Sequence, residues 1–258
     1  MNDASGHRGG RFRSLIGGLC LAALTVAPAV ADPVDAPGKP TLPGIGPTDP
    51  RVRIDPNAPP WRAVGKLQAT AGSLYESCTG TLVGPRSVLT AAHCLYNLRT
   101  GRYFPPSSLH FLVGYAAGAY AGHALVTRFV IGPGYDGSKQ AAGSDWAVLT
   151  IDRPLGVPDR VLALADAPPA VGTKVMIGGY SQDHPLMLTA DTQCRIVAKG
   201  TDANGRVLLR HDCTATHGAS GAPVLVREGD GWRIAAVDIA ARNGVASGIA
   251  AIHGPLRP

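Results

Sequence analysis

The chain has 258 residues, 45% of them hydrophobic and only 16% charged, so it can bury a sizeable core in one or two domains. Its formal charge of +6 falls to +4 (6 − 3 + 1) without Arg8, Arg11, Arg13 and Asp3. The remaining basic residues are scattered, with no arginine-lysine run or aromatic ladder, which argues against a nucleic-acid platform. Thirty-three glycines and 22 prolines suit many short strands joined by tight turns.

Residues 1–31 read as a secretory signal peptide: a basic start, an apolar stretch from Leu15 to Val26, and a small-residue cleavage site at Pro28-Ala29-Val30-Ala31. The apolar run is short for a membrane span. The expectation is a secreted, extracellular monomer, free of the membrane once the signal is cleaved. Cys20 leaves with it, and Cys78, Cys94, Cys194 and Cys213 remain. An even number of cysteines in an exported chain suggests two disulfides, with three possible pairings. Sequence proximity favours Cys78–Cys94 and Cys194–Cys213. Short C-x-x-C knuckles and H-E-x-x-H are both missing, so neither a metal nor a cofactor is expected.

Residues 32–60 hold nine prolines and form a propeptide or an N-terminal extension, with Arg51 to Ile54 as a short strand or anchored segment. Strand candidates follow at Ala63–Leu67, Cys78–Gly84, Ser87–Ala91, Leu109–Gly114, Leu125–Ile131 and Trp146–Ile151. Asn97–Ser108 and Gly132–Ser144 read as loops, and one helical turn fits Ala92 to Leu95. Residues 154–172 are a proline-bearing connector. A second series runs Lys174–Gly178, Leu186–Ala198, Arg206–Arg210, Pro223–Arg227, Trp232–Ile239 and Val245–Ala250, with a hairpin signal at Asn204-Gly205. The division is therefore a first β-barrel over 61–153 and a second over 173–258, an all-β pair of six-stranded antiparallel barrels with a cleft between them.

Three stretches carry chemistry. Ser220, in Gly218-Ala219-Ser220-Gly221, reads either as a nucleophile that needs a base or as part of an ordinary glycine-rich turn. The small residues around it let the N–H groups of Gly218 and Ser220 converge as an oxyanion hole. His93 follows a strand and adjoins Cys94, which suits a base anchored by a disulfide. Asp145 stands at the mouth of the apolar strand Trp146-Ala147-Val148-Leu149, where a carboxylate requires a partner such as His93.

These blocks, together with Cys78-Thr79-Gly80-Thr81-Leu82-Val83-Gly84 and Gly178-Gly179-Tyr180, make the chain resemble secreted bacterial members of the trypsin/chymotrypsin superfamily, in particular the glutamyl-endopeptidase (V8-like) branch, from about Asp49 to Ile252. The resemblance implies catalysis by His93, Asp145 and Ser220 through an acyl-enzyme on protein or peptide substrates, from a zymogen. It also implies a substrate pocket walled by Thr214 to His217 and Val237 to Ala241. Thr214 matches the position where trypsin keeps its pocket aspartate, and His217 lines the rim. The position where glutamate-cutting relatives keep a histidine holds Val237 or Asp238; Asp238 there would repel glutamate and attract arginine or lysine, and otherwise it is a capped or surface-facing carboxylate. Ala219 departs from the family's aspartate or asparagine before the nucleophile, which removes activation by an ion pair there. An esterase using the same triad, or a weak or inactive protease-fold binding protein, is the alternative. His110, His123, His184, His211 and His253 read as structural or surface residues.

Overall fold

A computed structural model describes residues 42–71, 74–139, 141–243 and 248–251. The expected signal peptide, residues 1–31, and His253 lie outside them. Among the described residues no helix is long and apolar enough to cross a membrane.

The strands come in chain order. β1 is Val52–Arg53. β2 (Val64–Ala71), β3 (Leu74–Gly84) and β4 (Ser87–Thr90) follow. A two-stranded hairpin of β5 (Tyr96–Asn97) and β6 (Arg102–Tyr103) interrupts the stretch expected to be loop. β7 (Leu109–Val113), β8 (Gly122–Ile131) and β9 (Ala147–Ile151) complete the first half. The second half holds β10 (Lys174–Gly179), β11 (Thr189–Thr201), β12 (Val207–His211), β13 (Pro223–Glu228), β14 (Gly231–Ala241) and β15 (Gly248–Ala251).

All strand pairings in both halves are antiparallel. The first half closes as a barrel in the order β2-β3-β4-β9-β8-β7, with β7 returning to β2. The second runs β11-β10-β13-β14-β15-β12, and the β11–β12 pairing closes it. Closure leaves few free edges on these short strands. The interiors follow from side-chain alternation. Along β9, Ala147, Leu149 and Ile151 are buried while Val148 and Thr150 are only partly so. Leu67, Leu82, Leu89, Phe111 and Leu149 fill the first barrel, and Val175, Ile177, Ile196, Leu209 and Val224 the second. Each fully buried side chain of this size contributes about 2 kcal/mol of burial.

The connector between the halves is bonded to both. Leu162 N–H donates to Leu82 O in the first barrel, and Ala165 N–H to Ile234 O in the second. Both disulfides join cysteines near in sequence, Cys78 to Cys94 and Cys194 to Cys213. The proline-rich segment ends as a strap on the second barrel. Gly44 N–H donates to Arg242 O, Val52 and Arg53 pair with Ala190 and Thr189, and Ile45 is buried. Its main fastening is Arg51, whose side chain is only 3% exposed and whose guanidinium bonds to Asp49 (2.6 Å) and Asp183 (3.1 Å).

Burial raises the Asp49 carboxyl, but the hydrogen bonds and charge of Arg51 overcome it and hold the group below the ordinary carboxylate value. A depressed carboxyl stabilises the fold above its unfolded pKa and loses that contribution as pH falls through its folded one. Arg51→Met should lower stability by about 3 kcal/mol, because two carboxylates lose a buried partner. Denaturant titration over a descending pH series should show that the wild type loses more stability below about pH 4 than the variant does.

Candidate active site

Strand pairing brings His93 and Asp145 together. Thr90 at the end of β4 pairs with Ala147 at the start of β9, so the residues just beyond them leave the barrel at the same end. The chain turns there through a 3-10 turn, His93–Leu95, where a helical turn was expected, and Cys94 is tied to Cys78 on β3. Asp145 follows another such turn, Ala142–Ser144. Asp145 is buried, and its two oxygens are both used. Oδ1 accepts from His93 N–H at 2.8 Å, and Oδ2 lies 2.7 Å from His93 Nδ1. A carboxylate only accepts, so the ring proton sits on Nδ1 and the Nε2 lone pair is free. Burial pulls the imidazole pKa down. The Asp145 hydrogen bond and charge outweigh it, the charges of Asp238 and Glu76 add to them, and His93 titrates above its ordinary value.

Ser220 reaches the same place from the other barrel, on a loop that only glycine permits at two positions. Gly218 has φ +90°, and a side-chain carbon there would lie 2.4 Å from Tyr180 O. Gly221 has φ +86°, and a carbon there would lie 2.1 Å from Thr79 O. Ala219 N–H donates to Thr216 O, Gly221 N–H to Asp238 O and Ala222 N–H to Ala219 O. Between these, the N–H groups of Gly218 and Ser220 donate to no protein acceptor among the described residues. Such unused neighbouring donors are what a developing oxyanion requires.

Thr79 holds this loop, a role no local pattern announces. From β3, its N–H donates to Ser220 O at 2.8 Å and its hydroxyl donates to Gly218 O at 2.9 Å. The same hydroxyl accepts from Tyr180 N–H at 3.0 Å. His93, Asp145, Gly218 and Ser220 all line one cavity of about 560 Å³ between the barrels. Among the described residues Ser220 Oγ makes no hydrogen bond to His93.

The expected pocket residues separate. His217 is exposed and lines the cavity, and Asp238 lines it from a buried position. Thr214 is fully buried and is absent from the cavity lining; its N–H donates to Asp191 Oδ2 at 2.9 Å. Thr216, two residues on, is the threonine on the wall. Asp238 Oδ1 lies 3.1 Å from Nε2 of the buried His211.

Residues 52–248 match the protein-family model described as trypsin. The chain belongs to the trypsin family. Among curated relatives of this trypsin-family chain, a glutamyl endopeptidase of Bacillus licheniformis is 29% identical over 149 residues, 57% of this chain and 43% of that protein. Transmembrane protease serine 5 of Homo sapiens is 26% identical over 206 residues, 71% of this chain and 44% of that protein. The matches thus span less than half the length of these relatives. The structure of a Glu endopeptidase in complex with MPD aligns with TM-score 0.67 and 21% identity over 81% of this chain and 94% of that one, a likeness of fold.

In an NMR titration, His93 should show a midpoint above the ordinary histidine value of 6.5. Asp145→Asn should lower that midpoint by about one unit or more, because it removes the nearest charge while leaving an acceptor in place.

Proposed function

We propose that this chain is a secreted serine endopeptidase in which Ser220 is the nucleophile, His93 the general base and Asp145 the group that orients it. The observation that carries the reading is the His93–Asp145 pair, held at two points and facing, across one cavity, a serine flanked by unused N–H donors.

The geometry translates into steps. Asp145 fixes the proton on Nδ1, which leaves Nε2 to take the Ser220 hydroxyl proton as the oxygen attacks a peptide carbonyl. A bound substrate closes the serine–histidine distance, since such hydrogen bonds commonly tighten only in the complex. The N–H groups of Gly218 and Ser220 receive the negative oxygen of the tetrahedral intermediate. His93, now an imidazolium against Asp145, protonates the leaving amine. Water then opens the acyl-enzyme by the same route, so protons and atoms balance without a cofactor. Ala219 is buried and cannot form an ion pair beside the nucleophile; backbone bonds and Thr79 support the loop instead. Residues 1–31 serve export in this reading, and the strap from Leu42 onward stays with the folded body.

Digestion of a mixed peptide library, with cut sites and the mature N-terminus read by mass spectrometry, tests the reading. Ser220→Ala should lower kcat/KM at least about a thousandfold while leaving the fold intact. Cuts that persist in that variant, or no cuts by folded and processed wild type, would refute it.

A further inference from the structure

A second carboxylate–imidazole pair lies behind the cavity, and the proposed reaction leaves it without a use. Asp238 is on β14 and His211 on β12, with β15 between them: Asp238 pairs with Ala250 and His211 with Gly248. A side-chain carbon at Gly248 would lie 2.5 Å from His211 Cε1, so a bare backbone there lets the imidazole reach across β15. His211 Nε2 then lies 3.1 Å from Asp238 Oδ1, with the two side chains 0% and 5% exposed.

This contact fixes what Asp238 can offer. The carboxylate only accepts, so Nε2 carries the proton and donates. His211 Nδ1 is buried and without a partner among the described residues. Oδ1 is taken by His211, and Asp238 lines the same cavity as His93, Asp145 and Ser220. The backbone of Asp238 also holds the nucleophile loop: Gly221 N–H donates to its carbonyl at 2.8 Å, and its own N–H donates to Ala222 O at 2.9 Å. Asp238 forms no ion pair with lysine or arginine among the described residues.

We propose that Asp238, oriented by His211, is a positioning residue for His93, a second buried carboxylate whose charge favours the imidazolium formed during the reaction, and that it does not select a basic substrate side chain. The inference rests on the serine-endopeptidase reading. The carboxylates lining the cavity with His93 are Asp145 before β9, Glu76 on β3 and Asp238 on β14, and Arg99 and the titratable His217 share the cavity wall. The group facing Asp238 from β12 is His211. The three carboxylates act on His93 in the same direction, upward.

The test compares the pH dependence of Ser220 labelling by a serine-directed phosphonate in wild type and Asp238→Asn. Asparagine keeps an oxygen for the His211 N–H and removes the charge. The variant should label roughly 3- to 10-fold more slowly near pH 8, with its acid limb moved to lower pH by roughly 0.5–1 unit. Peptide substrates with arginine or alanine before the cut should lose kcat/KM equally. An unmoved limb in a folded variant, or a loss confined to the arginine substrate, overturns the proposal. No labelling of folded wild type instead sinks the endopeptidase reading beneath it. If Asp238→Asn does not fold, Asp238→Ser replaces it with the same limb as readout, and nitrogen NMR of wild-type histidines checks the premise: a proton on His211 Nε2 is expected, and its absence breaks the arrangement.

Discussion

Thr79 is the point on which the site depends. Its N–H and hydroxyl take the carbonyls of Ser220 and Gly218, and its hydroxyl also receives Tyr180 N–H. With those two carbonyls turned onto β3, the intervening peptide groups are fixed, and the N–H groups of Gly218 and Ser220 are left without protein acceptors. One small side chain of the first barrel thus shapes the loop of the second. A tight glycine loop has many backbone states available, and fixing one of them requires partners from outside the loop. The Cys78–Cys94 disulfide, next along the chain from Thr79, ties the same strand to the turn that bears His93.

In the second barrel and its strap, each of several buried charged groups is held by a partner. Arg51 lies between Asp49 and Asp183, Asp238 against His211, and Asp191 accepts the N–H groups of Gln193 and Thr214. Burying such groups without partners would cost several kcal/mol each. The Asp191 carboxylate and the Cys194–Cys213 disulfide both brace the chain that leads from Thr214 to the loop bearing Ser220. This bracing explains why Thr214 is fully buried and Thr216 reaches the cavity wall: the first is pinned at its N–H, and the chain reaches the cavity two residues later.

The connector gives the two barrels a common frame, and the strap is bonded to the second of them. The strap joins the second barrel beside Arg242, near the wall strand β14, while the connector bonds Leu162 to the first barrel and Ala165 to the second. A seam between barrels changes shape easily unless segments cross it. Here the crossings are backbone hydrogen bonds, which tolerate little displacement.

The sequence alone was enough for the two strand series and for the nearer cysteine pairings, and it singled out the blocks proposed as the site. Those features are local: alternation, turn residues, and short blocks around His93, Asp145 and Ser220. Strand limits shifted by a few residues, as at β11, because pairing partners and not composition end a strand. The β5–β6 hairpin escaped notice because two-residue strands carry no period. The duties of Thr79, the Asp238–His211 pair, the Arg51 clamp and the burial of Thr214 were decided by tertiary structure alone. Thr79 and Gly218 are 139 residues apart, and Arg51 and Asp183 are 132 apart. No local pattern records such a contact, since it exists only after barrel closure brings the strands to one seam.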